Sequence, residues 1–127
     1  MSKDWYQDIV KFQKEVMCND FLTIPHVPDA RQQALQVELI KEETKELLEA
    51  IETSHLEQIA DGGADVIVVV LGAMVAHGID LRPIWDLVHE SNMAKKGGPM
   101  RSDGKRLKPP GWRPPNIAYE IRRQQEL

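Results

Sequence analysis

Two glutamates interrupt the apolar face of the most regular helical segment in the chain, residues 30–53. When this segment is drawn as a helix, one face carries leucine, isoleucine and alanine together with Glu43 and Glu46, and the opposite face is charged throughout. Burying an unpaired carboxylate is costly, so such groups are paired, protonated or bound to a metal ion. The pattern predicts an amphipathic helix whose core-facing side also holds a polar site, with Glu46 in its middle.

A second pair of carboxylates, Asp61 and Asp65, lies one turn apart in the next helical segment. Antiparallel packing of the two helices would bring both pairs together. Two carboxylates about 4 Å apart repel each other by roughly 4 kcal/mol at an effective dielectric constant near 20. Mg²⁺ or Mn²⁺ removes this repulsion and prefers oxygen ligands. We therefore expect Glu43, Glu46, Asp61 and Asp65 to form a divalent-metal site, beside which Gly62 and Gly63 leave room for a ligand or for another backbone.

The rest of the chain predicts an all-α fold, a four-helix bundle followed by a basic, proline-rich arm. Further helices are expected over residues 4–17, 55–78 and 81–95, and a short one around 117–126. The run Val66–Val70 is β-branched and is compatible with a buried strand. We favour a helix because the apolar stretch continues to Ala76 and no second strand-like run is present to pair with it. Being apolar all round, this stretch is expected to be central and buried.

Length and composition indicate one small domain with a helical core over residues 1–96 and an arm over 97–127. The single cysteine, Cys18, excludes an intrachain disulfide. The N-terminus is polar, and the longest apolar run is too short for a bilayer, which needs about 20 residues. We therefore expect a cytoplasmic protein, or one in the host cytoplasm if it is phage-encoded, with no membrane partner.

The charge is distributed unevenly along the chain. The formal net charge is −4, yet residues 95–113 carry seven basic side chains against Asp103 alone. An acidic core together with this basic segment is typical of a protein whose ligand carries both metal ions and phosphates. A solvated basic tail is the alternative. A nucleic-acid partner is not expected, because the remainder of the chain is strongly acidic.

Two sequence motifs of the chain resemble those of a known protein family. Glu42-Glu43-Thr44-Lys45-Glu46 matches the EExxE motif of the MazG-like all-α nucleoside triphosphate pyrophosphatase superfamily, which includes phosphoribosyl-ATP pyrophosphohydrolase. In the second motif, ExxD, Asp65 matches the aspartate, whereas Gly62 stands at the glutamate position and Asp61 is an acidic substitute one residue earlier. The stretches 89–95, 103–105 and 108–112 look like the C-terminal half of phage and bacterial members.

The resemblance implies hydrolysis of a nucleoside triphosphate between the α- and β-phosphates, with two or more Mg²⁺ or Mn²⁺ ions per site. It also implies a homodimer or homotetramer. Glu43, Glu46 and Asp65 would be metal ligands, with Asp61 next, and Glu42 would hold water, act as general base or lie at the edge of the site. The residues expected to bind substrate are Gln13, Asn92, Lys95, Lys105 and Lys108.

Several alternatives stay open from the sequence. Lys95 is also explained as a lysine favoured at a helix C-terminus, and Phe12 and Trp85 as core residues. Trp112 is expected to pack the tail onto the helices. A non-catalytic nucleotide- or metal-binding helical module fits the same carboxylates. The resemblance to phage-like members favours a purine deoxynucleotide, dGTP or dATP, as the substrate.

Overall fold

A computed structural model describes residues 3–126 and confirms the all-α prediction. Its five helices are α1 (Trp5–Glu15), α2 (Ala30–Glu52), α3 (Leu56–Ala76), α4 (Leu81–Met93) and α5 (Ile117–Gln125). Across the described residues no strand forms, and the only β-type pairing is an isolated bridge between Met100 and Arg106. Each predicted helix therefore exists, with ends that differ from the sequence estimate by a few residues at most.

The chain divides into two compact units, residues 1–80 and 81–127, which are described separately. The predicted domain boundary at residues 96/97 falls inside the second unit and stays a prediction. In the first unit, α2 and α3 form the most extensive helix–helix contact, and α1 packs on α3. Asp29 caps the start of α2 as expected for an N-cap aspartate, because its Oδ1 accepts a hydrogen bond from the Gln32 amide at 2.8 Å.

Residues 66–70 are helical, so the β-branched run does not form a strand. The helix is favoured because α2 packs along α3, whereas the described residues contain no strand with which residues 66–70 would pair. The expectation that this stretch is buried all round is wrong within the single chain. Ile67 and Val68 are exposed, and burial is concentrated in the last turns, from Leu71 to Ala76.

By length and composition, α3 would also be able to cross a membrane, with a mean hydropathy of 1.9 over its most apolar window and 22% of that window buried. The expectation that no apolar segment is long enough was based on an uninterrupted run. The core helix of a soluble domain meets the same criterion. The acidic Asp61 and Asp65 lie within this helix.

Gly78 ends α3 with a positive φ of 67°, the left-handed conformation that glycine adopts without strain. A side chain at this position would collide with the carbonyl group of Ile24, so the turn also needs glycine for space. The adjacent loop is tied down by a hydrogen bond of 2.9 Å from the His26 amide to the His77 carbonyl. This contact fixes the path of the chain between α1 and α2.

The second unit consists of α4, a long irregular segment and α5. Trp112 donates its indole N–H to the carbonyl of Ser91 on α4 at 2.8 Å, which confirms that this tryptophan packs the tail onto a helix. Two other aromatic expectations are wrong. Trp85 is 66% exposed and Phe12 is 38% exposed, so neither belongs to the core of the single chain.

Candidate functional site

Glu43 is the carboxylate that the fold removes from water. Its Oε2 is buried and has no hydrogen-bond partner within the described chain, although the side chain as a whole is half-buried. Burial is the main cause that raises the pKa of Glu43 above its ordinary value. The negative charges of Glu46, Asp65 and Glu42 raise the pKa further, as does a side-chain hydrogen bond with Glu46. The carboxylates of α2 and α3 are therefore close enough for electrostatic repulsion between them.

A groove of about 430 Å³ lies between α2 and α3. It brings three of the four predicted ligands, Glu46, Asp61 and Asp65, to one surface, whereas Glu43 does not line it. The residues lining the groove are Glu46, Glu49, Ala50, Thr53, Gln58, Asp61, Gly62 and Asp65. The predicted antiparallel meeting of the two acidic pairs is thus observed.

Gly62 explains why the helices can come so close at this point. A Cβ atom placed on Gly62 would lie 3.2 Å from the Cα of Leu47, so the two backbones are nearly in contact. A Cβ atom placed on Gly63 would have no other atom within 4 Å, so this position faces open space. Gly62 therefore allows the backbones of α2 and α3 to approach closely. The acidic side chain next to the motif position is that of Asp61, which lines the groove.

Two expectations about α2 need correction. Glu46 is exposed at the groove rather than set in the middle of the core, and the desolvated carboxylate is Glu43. Glu49 belongs to the charged face opposite the apolar one, where a solvated side chain is expected, yet it lines the groove beside Glu46. A signal for Glu49 was present in the sequence, because it follows Glu46 by three residues and therefore lies on a neighbouring line of the helix surface.

The donor set suits a hard divalent cation, since it consists of carboxylate oxygens and one of them lacks any other partner. No three acidic, histidine or cysteine side chains among residues 3–126 are already gathered as a set able to hold one ion. Binding would require the exposed Glu46 and Asp61 side chains to turn inward toward Glu43 and Asp65. Side-chain rotation of exposed residues is fast and inexpensive, so the donor chemistry fits although the assembled geometry is not preformed.

Gln13 lies on α1, and a hydrogen bond holds the oxygen end of its amide group. Its Oε1 accepts a hydrogen bond of 2.8 Å from Asn19 Nδ2, and its Nε2 points at Gly72 of α3, 3.3 Å from where a Cβ atom would stand. Gly72 follows Asp65 by seven residues, or about two helical turns, so Gln13 contacts the same line of α3 that carries the aspartate. Glu42, the remaining predicted residue of this unit, is exposed on α2.

The other four predicted site residues belong to the second unit. Lys95 Nζ donates to Asn92 Oδ1 at 3.1 Å and lies 5.5 Å from the centre of the Trp112 ring, and Lys108 Nζ lies 4.7 Å from the same ring. α4 ends at Met93, so Lys95 follows the helix instead of lying within it. Three of the four residues thus form one cluster around Trp112.

Lys105 is held in a separate turn of the second unit. Arg101 makes a two-pronged ion pair with Asp103, with distances of 2.8 and 2.6 Å, and the Lys105 amide donates to Asp103 Oδ1 at 3.3 Å. The guanidinium of Arg101 lowers the pKa of the Asp103 carboxyl. The turn presents the exposed Lys105 side chain on a short, well-braced loop.

The phosphoribosyl-ATP pyrophosphohydrolase family model matches residues 11–92, which include α2, α3 and all the carboxylates described above. None of the curated proteins compared with the chain matches it. The match covers well over half of the sequence, and it agrees with the all-helical architecture. The chain therefore belongs to the phosphoribosyl-ATP pyrophosphohydrolase family, part of the MazG-like all-α nucleoside triphosphate pyrophosphatase superfamily.

Proposed function

We propose that the protein is a divalent-metal-dependent pyrophosphohydrolase that converts a (deoxy)nucleoside triphosphate into the monophosphate and pyrophosphate. Family membership indicates a pyrophosphohydrolase acting on nucleotides. The observation that carries the finer proposal is the buried Glu43 Oε2, which has no hydrogen-bond partner in the described chain and is surrounded by other carboxylates. A carboxylate so placed is stabilised by a cation, and a nucleotide triphosphate binds together with such cations.

The bound Mg²⁺ or Mn²⁺ would neutralise the phosphate oxygens and lower the pKa of the attacking water. In this proposal Glu43, Glu46, Asp61 and Asp65 hold the metal ions. Glu42 is exposed on the same helix, and in this proposal it accepts a proton from the attacking water. Burial and the negative charge of Glu46 raise the pKa of Glu43, and a bound cation would lower it again.

The substrate proposal rests on Gln13 and on the basic residues. The amide Nε2 of Gln13 has hydrogen-bond donors suited to acceptors on a nucleobase, and it lies beside Gly72, about two turns of α3 from Asp65. We favour a purine deoxynucleotide, dGTP or dATP. Asn92, Lys95, Lys105 and Lys108 would bind the polyphosphate.

The test is a panel of the canonical NTPs and dNTPs, each incubated with Mg²⁺ or Mn²⁺ and analysed for products. We expect monophosphate and pyrophosphate as first products, with the highest kcat/KM for a purine deoxynucleotide. Release of a diphosphate and orthophosphate would contradict α–β cleavage. If no nucleotide turns over while one binds, the alternative of a non-catalytic nucleotide- or metal-binding module is favoured.

We also propose that two copies of the chain associate through the outer face of α2. Leu48 and Ile51 on this face are each about half exposed, at 52% and 51%. Lys41 and Lys45 precede Leu48 along the stripe, whereas Glu49 and Glu52 come after it, so the stripe is positive toward its start and negative toward its end. An antiparallel pair of identical helices would bring opposite charges together around an apolar centre.

Sedimentation analysis tests this association. Leu48→Glu adds a charge in the apolar centre and is expected to shift the wild-type dimer or tetramer toward monomer, whereas Glu57→Gln, at an exposed position in the first turn of α3, is not. A wild-type monomer at high concentration would contradict the proposal. We place the protein in the cytoplasm, as expected for an enzyme acting on free nucleotides.

A further inference from the structure

Asn19, in the loop that follows α1, is tied to Gln13 by two hydrogen bonds. Its side-chain Nδ2 donates to Gln13 Oε1 at 2.8 Å, and its backbone amide donates to the Gln13 carbonyl, also at 2.8 Å. Cys18, just before it, has a positive φ of 56°, which is uncommon for a residue other than glycine. The chain therefore turns back on the end of α1 and brings Asn19 to Gln13.

The side-chain bond decides which end of the Gln13 carboxamide is available. A carboxamide has an acceptor oxygen at one end and two N–H donors at the other. Because Asn19 binds the oxygen, the donor end is directed toward α3, where Nε2 lies 3.3 Å from the place that a Cβ atom on Gly72 would occupy. Nε2 donates no hydrogen bond to any residue within 3–126. Gln13 thus presents free N–H donors beside α3.

A donor held in this way distinguishes between purines at one position of the ring. Guanine and hypoxanthine carry an acceptor oxygen on C6, whereas adenine carries an amino group, which is a donor, on the same carbon. An N–H group that cannot turn away forms a hydrogen bond with the oxygen and is left without a partner by the amino group. The fixed orientation of Gln13 therefore favours a 6-oxopurine.

We propose that Asn19 is a positioning residue, which keeps the donor end of Gln13 toward the base and thereby selects a 6-oxopurine nucleotide over a 6-aminopurine one. The inference rests on the proposed function, in which the phosphates lie at the α2 and α3 carboxylates and the base lies at Gln13. Within that function it selects dGTP rather than dATP.

Asn19→Asp tests the inference, because it replaces the donor group by an acceptor of nearly the same shape. A carboxylate only accepts hydrogen bonds, so the Gln13 carboxamide has to rotate, give Nε2 to residue 19 and leave Oε1 for the base. Isothermal titration with dGMP, dIMP and dAMP in Mg²⁺ measures the preference without turnover. We expect the wild type to bind dGMP and dIMP about tenfold more tightly than dAMP, and Asn19→Asp to lower both ratios about tenfold.

Two controls separate this role from a general effect of charge or structure. Lys14→Gln lowers the charge by the same one unit at the exposed residue next to Gln13, and it should keep the wild-type ratios. In a Gln13→Ala background, Asn19→Asp should leave the ratios unchanged, because no carboxamide remains to be turned. If Asn19→Asp does not fold by circular dichroism, Gln13→Glu decides. It keeps an acceptor for Asn19 and presents a second oxygen to the base, so it should lower the ratios as well.

Three results would overturn the inference: no preference for dGMP and dIMP in the wild type, wild-type ratios in folded Asn19→Asp, or an equal change in Lys14→Gln. Hydrolysis of dGTP with Mg²⁺ is measured separately. Hydrolysis together with ratios that do not respond to Asn19→Asp would refute this inference alone. Selective binding that Asn19→Asp lowers, without hydrolysis of any nucleotide, would refute the proposed function alone.

Discussion

The two units of the chain place their charged groups by different physical means. Residues 1–80 contain 15 acidic and 6 basic side chains, and the acidic ones of interest lie on α2 and α3, where helix periodicity and helix packing set their positions. Residues 81–127 contain 10 basic and 5 acidic side chains, and the basic ones of interest lie in irregular segments. There, single contacts such as the Trp112 indole bond or the Arg101–Asp103 pair set the positions.

This difference has a consequence for how each unit responds to change. A helix–helix contact is shared among many atoms, so a defect at one position strains the whole contact. A loop held by one hydrogen bond or one ion pair can be released locally at little global expense. Substitutions in the first unit should therefore act on both stability and chemistry, while those in the second should act on ligand binding alone.

The largest effect is expected at the α2 carboxylates. Glu43→Gln and Glu46→Gln should each lower kcat/KM for the best nucleotide at least about 100-fold, because each removes a negative ligand from the metal-binding set. Metal should raise the melting temperature of the wild type and raise that of either variant much less. Glu38→Gln, on the exposed charged side of the same helix, is the matched control. Full activity of the Glu46→Gln variant would show that Glu46 is not a metal ligand.

The next effect concerns the close approach of α2 and α3, and it uses adjacent glycines. Gly63→Ala meets open space and should raise the free energy of unfolding by up to about 1 kcal/mol through helix propensity. Gly62→Ala meets the Leu47 backbone at 3.2 Å and should be about 1–3 kcal/mol less stable than Gly63→Ala. Urea denaturation measures both. Equal stabilities would indicate that α2 and α3 separate easily.

A smaller effect is expected in the pH dependence of stability without metal. The folded state raises the pKa of Glu43 above its ordinary value of 4.5, so the folded state binds more protons there than the unfolded state does. The contribution of Glu43 is therefore most favourable below pH 4.5 and is lost as the pH rises through the folded-state pKa. Denaturation in EDTA across this range should show a shallower decline for Glu43→Gln than for the wild type. Identical profiles would argue against the desolvation of Glu43.

The smallest effect is expected in the second unit, at the Arg101–Asp103 turn. Asp103→Ala removes an exposed ion pair and the acceptor of the Lys105 amide, yet exposed pairs contribute little to stability. We expect an unchanged melting temperature together with altered amide chemical shifts confined to residues 100–106. A clear fall in melting temperature would show that this unit depends on the turn, and the contrast between the units would fail.

The sequence predicted those features of the fold and the site that helical periodicity controls. The five helices and the pairing of acidic residues across α2 and α3 follow from local pattern and from the need to satisfy buried charge. Asp29 and Gly78 are of the residue types typical of the helix ends where they lie. It did not predict which glutamate is desolvated, since Glu43 and Glu46 lie about 60° apart on the helix and only the position of α3 separates them. Glu49 was missed for the same reason.

Exposure was the other feature that sequence could not supply. Phe12, Trp85, Ile67 and Val68 have apolar side chains that predict a core, and the single chain leaves them exposed. Hydrophobicity alone reports that a side chain favours burial but not which chain buries it. In the second unit the Lys95–Trp112–Lys108 cluster joins residues far apart in an irregular segment, where no period relates one position to another.

The near contact of Gly62 with Leu47 also limits the routes by which this chain can change. Gly62 stands where the second motif of the superfamily has its glutamate, so a single substitution would restore the motif in letters. In this structure that longer side chain would first have to displace the α2 backbone. A glutamate at this position would therefore require α2 to shift slightly away from α3. Asp61 is the acid that this chain can use while the helices remain this close.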